Sequence, residues 1–123
     1  MSTDKIQEIA SFLRTVKLIM QLGKSEGARF TLATVREKNL QTLAVLELDL
    51  SDVADVIMSL STTDYSEGPL KDSTIKGDLW VFGKVVKGSE VYIKLKVIGD
   101  NRNQQVAILS FHQPERKIGY PLK

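Results

Sequence analysis

Apolar side chains in the first half of the chain recur at helical spacing, whereas those in the last third alternate with polar ones. In "TDKIQEIASFLRTVKLIMQLG", Ile6, Ile9, Leu13, Val16 and Met20 trace one stripe. They predict a helix capped by Thr3 or Asp4 and stopped at Gly23. "KSEGAR" predicts a turn and "RFTLAT" a short strand or extended arm. A second helix is expected in "REKNLQTLAVLEL", with Leu40, Leu43 and Ala44 on its apolar side. In "DLSDVADVIMSL", Ser51 is placed to cap a third helix, with Asp52 in its first turn and Val53, Val56, Ile57 and Leu60 turned inward.

"STTDYSEGPLKDSTIKGD" is polar and broken by Gly68-Pro69, which predicts a connector between two layers. Beyond it, "LWVFGKVV", "EVYIKLKVI" and "QQVAILSFH" predict three strands joined by turns at Gly88 and at Gly99-Asp100-Asn101. Helices followed by an antiparallel meander give an α+β fold, a two-layer sandwich. Alternation puts Val91, Ile93, Leu95 and Val97 toward the helices and Tyr92, Lys94 and Lys96 on the opposite face. In the last strand, Ala107, Leu109 and Phe111 form one set, and Ile108, Ser110 and His112 the other. With Phe111 and Leu109 in the core, His112 shares an open surface with Tyr92 and Lys94.

At 123 residues and 42% hydrophobic content, the chain can bury one core but not two. The expectation is one domain over 1–123, helical over 1–62, with the meander and a tail over 78–123. The chain has no cysteine and one histidine, which excludes disulfides, thiolate or His-rich metal sites and a cysteine nucleophile. No cofactor is expected. "MSTDKIQEIASF" has an early acidic residue and no long apolar stretch, so neither a signal peptide nor a membrane span is expected, and the cytoplasm is the default location. Net charge is +2, yet residues 1–60 hold seven Lys and Arg against eight acids. Residues 82–123 hold eight against three. This asymmetry suits a sheet that meets a polyanion, although a solvated lysine-rich face gives the same count.

An imidazole, a phenol and ammonium groups on one surface are the groups needed to cleave RNA without metal. A base removes the 2′-OH proton, cations stabilise the phosphorane, and an acid protonates the departing 5′ oxygen. Histidine can serve in either protonation state near neutral pH. The same residues are also ordinary on a solvated strand, so the pattern alone indicates no more than a nucleic-acid-binding surface.

The segments "VIMSLSTTDY", "LW", "GSEVYIKLKV" and "ILSFH", in that order, resemble the MqsR family of bacterial toxin ribonucleases, part of the wider RelE-like group. "ATVREKNLQTLAVLELDLSDVADVI" fits the family's helical region, and the resemblance runs from about Ala33 to His112. It implies a RelE-like two-layer sandwich that cuts single-stranded mRNA without metal, lowers translation and is neutralised by a cognate antitoxin. Tyr92 matches the family's catalytic tyrosine, and His112 falls on the basic position after "SF". The resemblance departs at Glu67, which stands where a lysine is expected, with Lys71 the nearest substitute. Lys84 is taken for the functional side chain of the following strand. The expected catalytic set is His112 as leading acid or base, Tyr92 as second donor or orienter, and Lys94 and Lys71 at the phosphate. Lys84, Lys96, Arg116 and Lys117 are expected to bind RNA. "QPERKIGYPLK" extends past the family's usual end, with Tyr120 and Pro121 expected to pack.

Other motifs have plainer readings. Trp80 and Phe82 are expected to pack the core rather than stack on bases. Asp64, Glu67, Asp72 and Asp78 lack the spacing of a calcium loop. Ser110 has His112 on its face but no carboxylate to orient it, which argues against a hydrolase triad. No Gly-rich phosphate loop precedes a helix. A non-catalytic RNA- or protein-binding module on the same scaffold remains the alternative, and a homodimer is left open.

Overall fold

The computed structural model describes residues 3–26, 29–72, 77–100 and 103–123. Helix α1 (Thr3–Glu26) leads to a short strand β1 (Phe30–Leu32), then α2 (Glu37–Leu46) and α3 (Leu50–Met58). A 3₁₀ turn (Thr62–Asp64) enters β2 (Tyr65–Lys71), followed by β3 (Asp78–Val86), β4 (Ser89–Ile98) and β5 (Gln105–His112). The strands lie in the order β1-β5-β4-β3-β2, antiparallel except for β1, which runs parallel to β5. The fold is α+β: three helices at the N-terminus packed on a mostly antiparallel sheet. Among the described residues, no helix is long and apolar enough to cross a membrane.

The helical stripe forms the core much as its spacing predicts. Ile9, Leu13, Val16, Ile19 and Met20 of α1 are buried with Val53 and Ile57 of α3 against Phe82, Ile93, Leu95 and Phe111 of the sheet. Each such side chain contributes about 1.5–3 kcal/mol on leaving water. Ile6 lies at the margin, 37% exposed. Trp80 and Phe82 stack with Phe12 at 4.7 and 6.2 Å, as packing residues rather than an open platform. Gly23 does not stop α1, which continues to Glu26; a glycine inside a helix costs only about 1 kcal/mol.

Helix α3 starts earlier than expected. Its cap is Asp49, whose carboxylate accepts from the Asp52 N–H at 2.8 Å while Asp52 accepts from the Asp49 N–H at 2.9 Å. Ser51 is already helical. The reciprocal carboxylate pair satisfies two N-terminal donors at once, which a single serine hydroxyl cannot do.

The connector contains a strand. Tyr65–Lys71 pairs with β3 as the edge strand β2, its register shifted twice around Ser66 and the cis Gly68-Pro69 bond. The Pro and Gly that read as breakers are those an irregular edge strand tolerates. The β3–β4 hairpin closes on Lys87-Gly88, both at positive φ (50° and 81°), the conformation of a tight two-residue turn. The β4–β5 turn includes Gly99 and Asp100, while Asn101 lies outside the described residues.

Two departures position the site. In β5, Ser110 pairs with Lys94 but Ile108 with Leu95, so Leu109 is an extra, bulged residue. The expected alternation therefore inverts before the bulge: Val106 and Ile108 join Phe111 in the core instead of Ala107 and Leu109. Helix α2 turns polar residues inward, burying Asn39 and Thr42 while Leu40 is 46% exposed. Beyond the three-residue β1, the β5 edge has no strand partner among the described residues, and α2 supplies hydrogen-bond partners from its side chains. Asn39 Nδ2 donates to the Leu109 carbonyl at 3.1 Å and to the Ala33 carbonyl at 2.8 Å. Asn39 Oδ1 accepts from the Phe111 N–H at 2.9 Å, and Thr42 Oγ1 from the Gln113 N–H at 3.2 Å.

Candidate functional site

Past the bulge, alternation holds on the face away from the helices. Tyr92 pairs with His112 across β4 and β5, and their rings stack at 5.4 Å and 26°. The Lys94 ammonium lies 5.9 Å from the Tyr92 ring centre. The His112 ring is turned outward, its Nδ1 2.9 Å from the Gln113 carbonyl.

The C-terminal tail crosses this face instead of leaving it bare. Ile118 is buried, and Tyr120 lies over Gly83 so closely that a Cβ there would come within 2.9 Å of two ring carbons and the hydroxyl oxygen. Glycine at 83 is thus required for the tail to lie down. The Tyr120 hydroxyl donates to Glu90 at 2.7 Å. Burial first, and this carboxylate second, push its pKa far above the usual tyrosine value. Lys38 of α2 forms an ion pair with Glu115. Lys123 reaches Asp64 at 3.8 Å.

Between tail and sheet lies a cleft of about 530 Å³. Ser66 and Glu67 of β2 line one wall, Tyr92 and His112 the other side, and Arg116 and Lys117 of the tail the rim. Arg36, just before α2, extends a guanidinium over the same face to Ser110 Oγ at 3.4 Å. The Tyr92 phenol is held above its ordinary pKa, chiefly by burial and then by Glu67, against the opposing pull of Arg116 and Arg36. It therefore stays protonated at neutral pH and offers a donor.

The structure brings Tyr92, His112, Lys94, Arg116 and Lys117 together and removes three lysines expected beside them. Lys96 does lie on the predicted face, but it is 0% exposed and bonded to Asp72 at 2.7 Å, sealed from any RNA. Lys84 faces the helices: it pairs with Val91 in register and binds Asp64 at 3.1 Å. Lys71 sits at the far end of β2 opposite Asp78, five residues along β3 from the Gly83–Tyr92 pair. That places it roughly 16 Å down the sheet, out of the cleft. Sequence reading missed Arg36 and Ser66. Arg36 enters only because Asn39, one helical turn later, pins α2 to the bulge, and no periodicity signals that. Among the described residues, no group of three or more His, Cys, Asp or Glu is arranged to hold a metal ion.

No family model, curated protein or solved structure matches the chain.

Proposed function

We propose that the cleft cleaves single-stranded mRNA without a metal, by attack of a ribose 2′-OH on the adjacent phosphodiester, in the manner of an MqsR-like toxin. The observation that carries the reading is the Tyr92–His112 stack, open to solvent within a cleft rimmed by basic side chains. His112 acts as proton carrier. Tyr92 donates its phenolic proton in a hydrogen bond to the phosphate or orients the 2′-OH. Lys94, Arg36, Arg116 and Lys117 offset the charge gained by the phosphorane. A cognate antitoxin that covers this face or docks elsewhere, action in the cytoplasm and lowered translation follow from the same proposal.

The second reading, a non-catalytic RNA- or protein-binding module, is favoured by Glu67, a carboxylate in a cleft that would bind an anion. One experiment separates the two. Purified protein is incubated with a long single-stranded RNA in EDTA beside His112→Ala and Tyr92→Phe. Chelator-resistant cleavage that falls about 100-fold or more in both variants supports the enzyme. RNA that is bound but intact supports the module.

A further inference from the structure

The Tyr92–His112 stack leaves a chemical gap. Cleavage by 2′-OH attack needs a base on one side of phosphorus, at O2′, and an acid on the opposite side, at O5′. Rings stacked at 5.4 Å stand on the same side of anything bound in the cleft, so they cannot divide those tasks between them. Tyr92 is moreover held protonated, which removes it as a base. The second proton carrier must come from the facing wall.

We infer that Glu67 is the general base of this site and His112 its general acid. Glu67 stands on β2 and His112 on β5, with β3 and β4 between them. Three strand spacings across, and two residues along from the Val81–Lys94 row to the Gly83–Tyr92 row, put their backbones about 16 Å apart. Both side chains line the same cleft, and the Glu67 carboxylate is near enough to Tyr92 for its charge to help hold that phenol protonated. Two other candidates in the cleft fail. Glu115 is tied to Lys38, and Ser66 offers only a hydroxyl. Glu67 is exposed and, among the described residues, is in no ion pair. The departure from the MqsR-like pattern at this position then puts a carboxylate able to act as base where an amine is expected.

The step balances without any further reactant. The O2′ proton passes to the Glu67 carboxylate as O2′ bonds to phosphorus. The P–O5′ bond breaks, and O5′ takes a proton from the His112 imidazolium. The products are a 2′,3′-cyclic phosphate and a 5′-hydroxyl end. Arg36 and Arg116 meet the non-bridging oxygens and Tyr92 donates to one of them.

This assignment rests on the ribonuclease reading, and the test keeps the two apart. The full-length protein, Glu67→Gln, Glu67→Asp and His112→Ala are assayed in EDTA on one short RNA. The same RNA is also made with sulfur at the bridging 5′ position, where departure needs no proton. The expected result is a fall of about 100-fold for Glu67→Gln on both substrates and partial retention in Glu67→Asp. His112→Ala falls by a similar factor on normal RNA and recovers on the sulfur substrate. Cleavage by wild type with Glu67→Gln within about threefold of it, or recovery of Glu67→Gln instead of His112→Ala on sulfur, overturns the assignment and leaves the nuclease standing. No cleavage by wild type removes both.

Discussion

Lys94 and Lys96 are two residues apart on one strand and point to the same side of the sheet, yet they live in different worlds. Lys94 stands beside Tyr92 at the open end, half-buried and near an aromatic ring. Lys96 is fully buried at the other end, bonded to Asp72. Strand alternation decides which side a residue faces. What lies above that side is decided by chain from elsewhere: the tail and α2 at one end, Asp72 just past β2 at the other. One end of the face is therefore open to solvent, the other closed over a buried ion pair.

The largest effect separating the two ends is expected from Lys96→Ala. Removing the ammonium takes from the buried Asp72 carboxylate this counter-charge and costs about 3–5 kcal/mol, read as a shift in the urea unfolding midpoint. RNA cleavage per folded molecule should be unchanged. Asn39→Ala comes next. It strips the bonds to Phe111, Leu109 and Ala33 that hold the bulge between the two ends, at a cost of about 3 kcal/mol. It should also lower activity in the folded fraction, because Arg36 loses its anchor.

Tyr120→Phe is a smaller change, about 1 kcal/mol at neutral pH for a partly exposed bond to Glu90. Its signature is at high pH. Tyrosine in the unfolded chain titrates near about 10, and Tyr120 keeps its proton well above that when folded. Beyond pH ~10 the unfolded state therefore binds fewer protons than the folded one, and stability falls as pH rises. The contribution is full below that pH and is lost above it; the variant should flatten the decline, as Tyr92→Phe should more weakly. Unfolding midpoints taken between about pH 8 and 11 check this. The smallest stability change belongs to Lys94→Ala, under about 1 kcal/mol. It should instead weaken RNA binding and reduce the slope of log affinity against log salt by about one, where Lys84→Ala leaves it untouched.

The readable parts of the sequence are those governed by local periodicity. The stripe of α1 from Ile9 to Met20, the alternation of β4 from Val91 to Leu95 and the Gly88 hairpin each need only neighbours in the chain, and each stands as expected. Tyr92 and His112 could be placed on one face because β4 and β5 are joined by a short turn. The misses share another origin. Leu109 bulges because Asn39, seventy positions earlier, holds its carbonyl. Lys96 reads as solvent-facing until Asp72 closes over it. Leu43 does pack against the core, but Leu40 is left outside because a sheet edge with unpaired amides selects Asn39 and Thr42. Arg36 was invisible for the same reason, since its value depends on a helix docked against a strand far along the chain.

The parallel ladder of β1 on β5, Phe30 against Val106, ties a strand before α2 to the last strand of the sheet. Closing so long a loop is entropically slow, and local hairpins will zip first. Arg36 can reach Ser110 only once that closure has occurred. A chain that has zipped its meander but not closed this ladder therefore still lacks the guanidinium that α2 brings to the face.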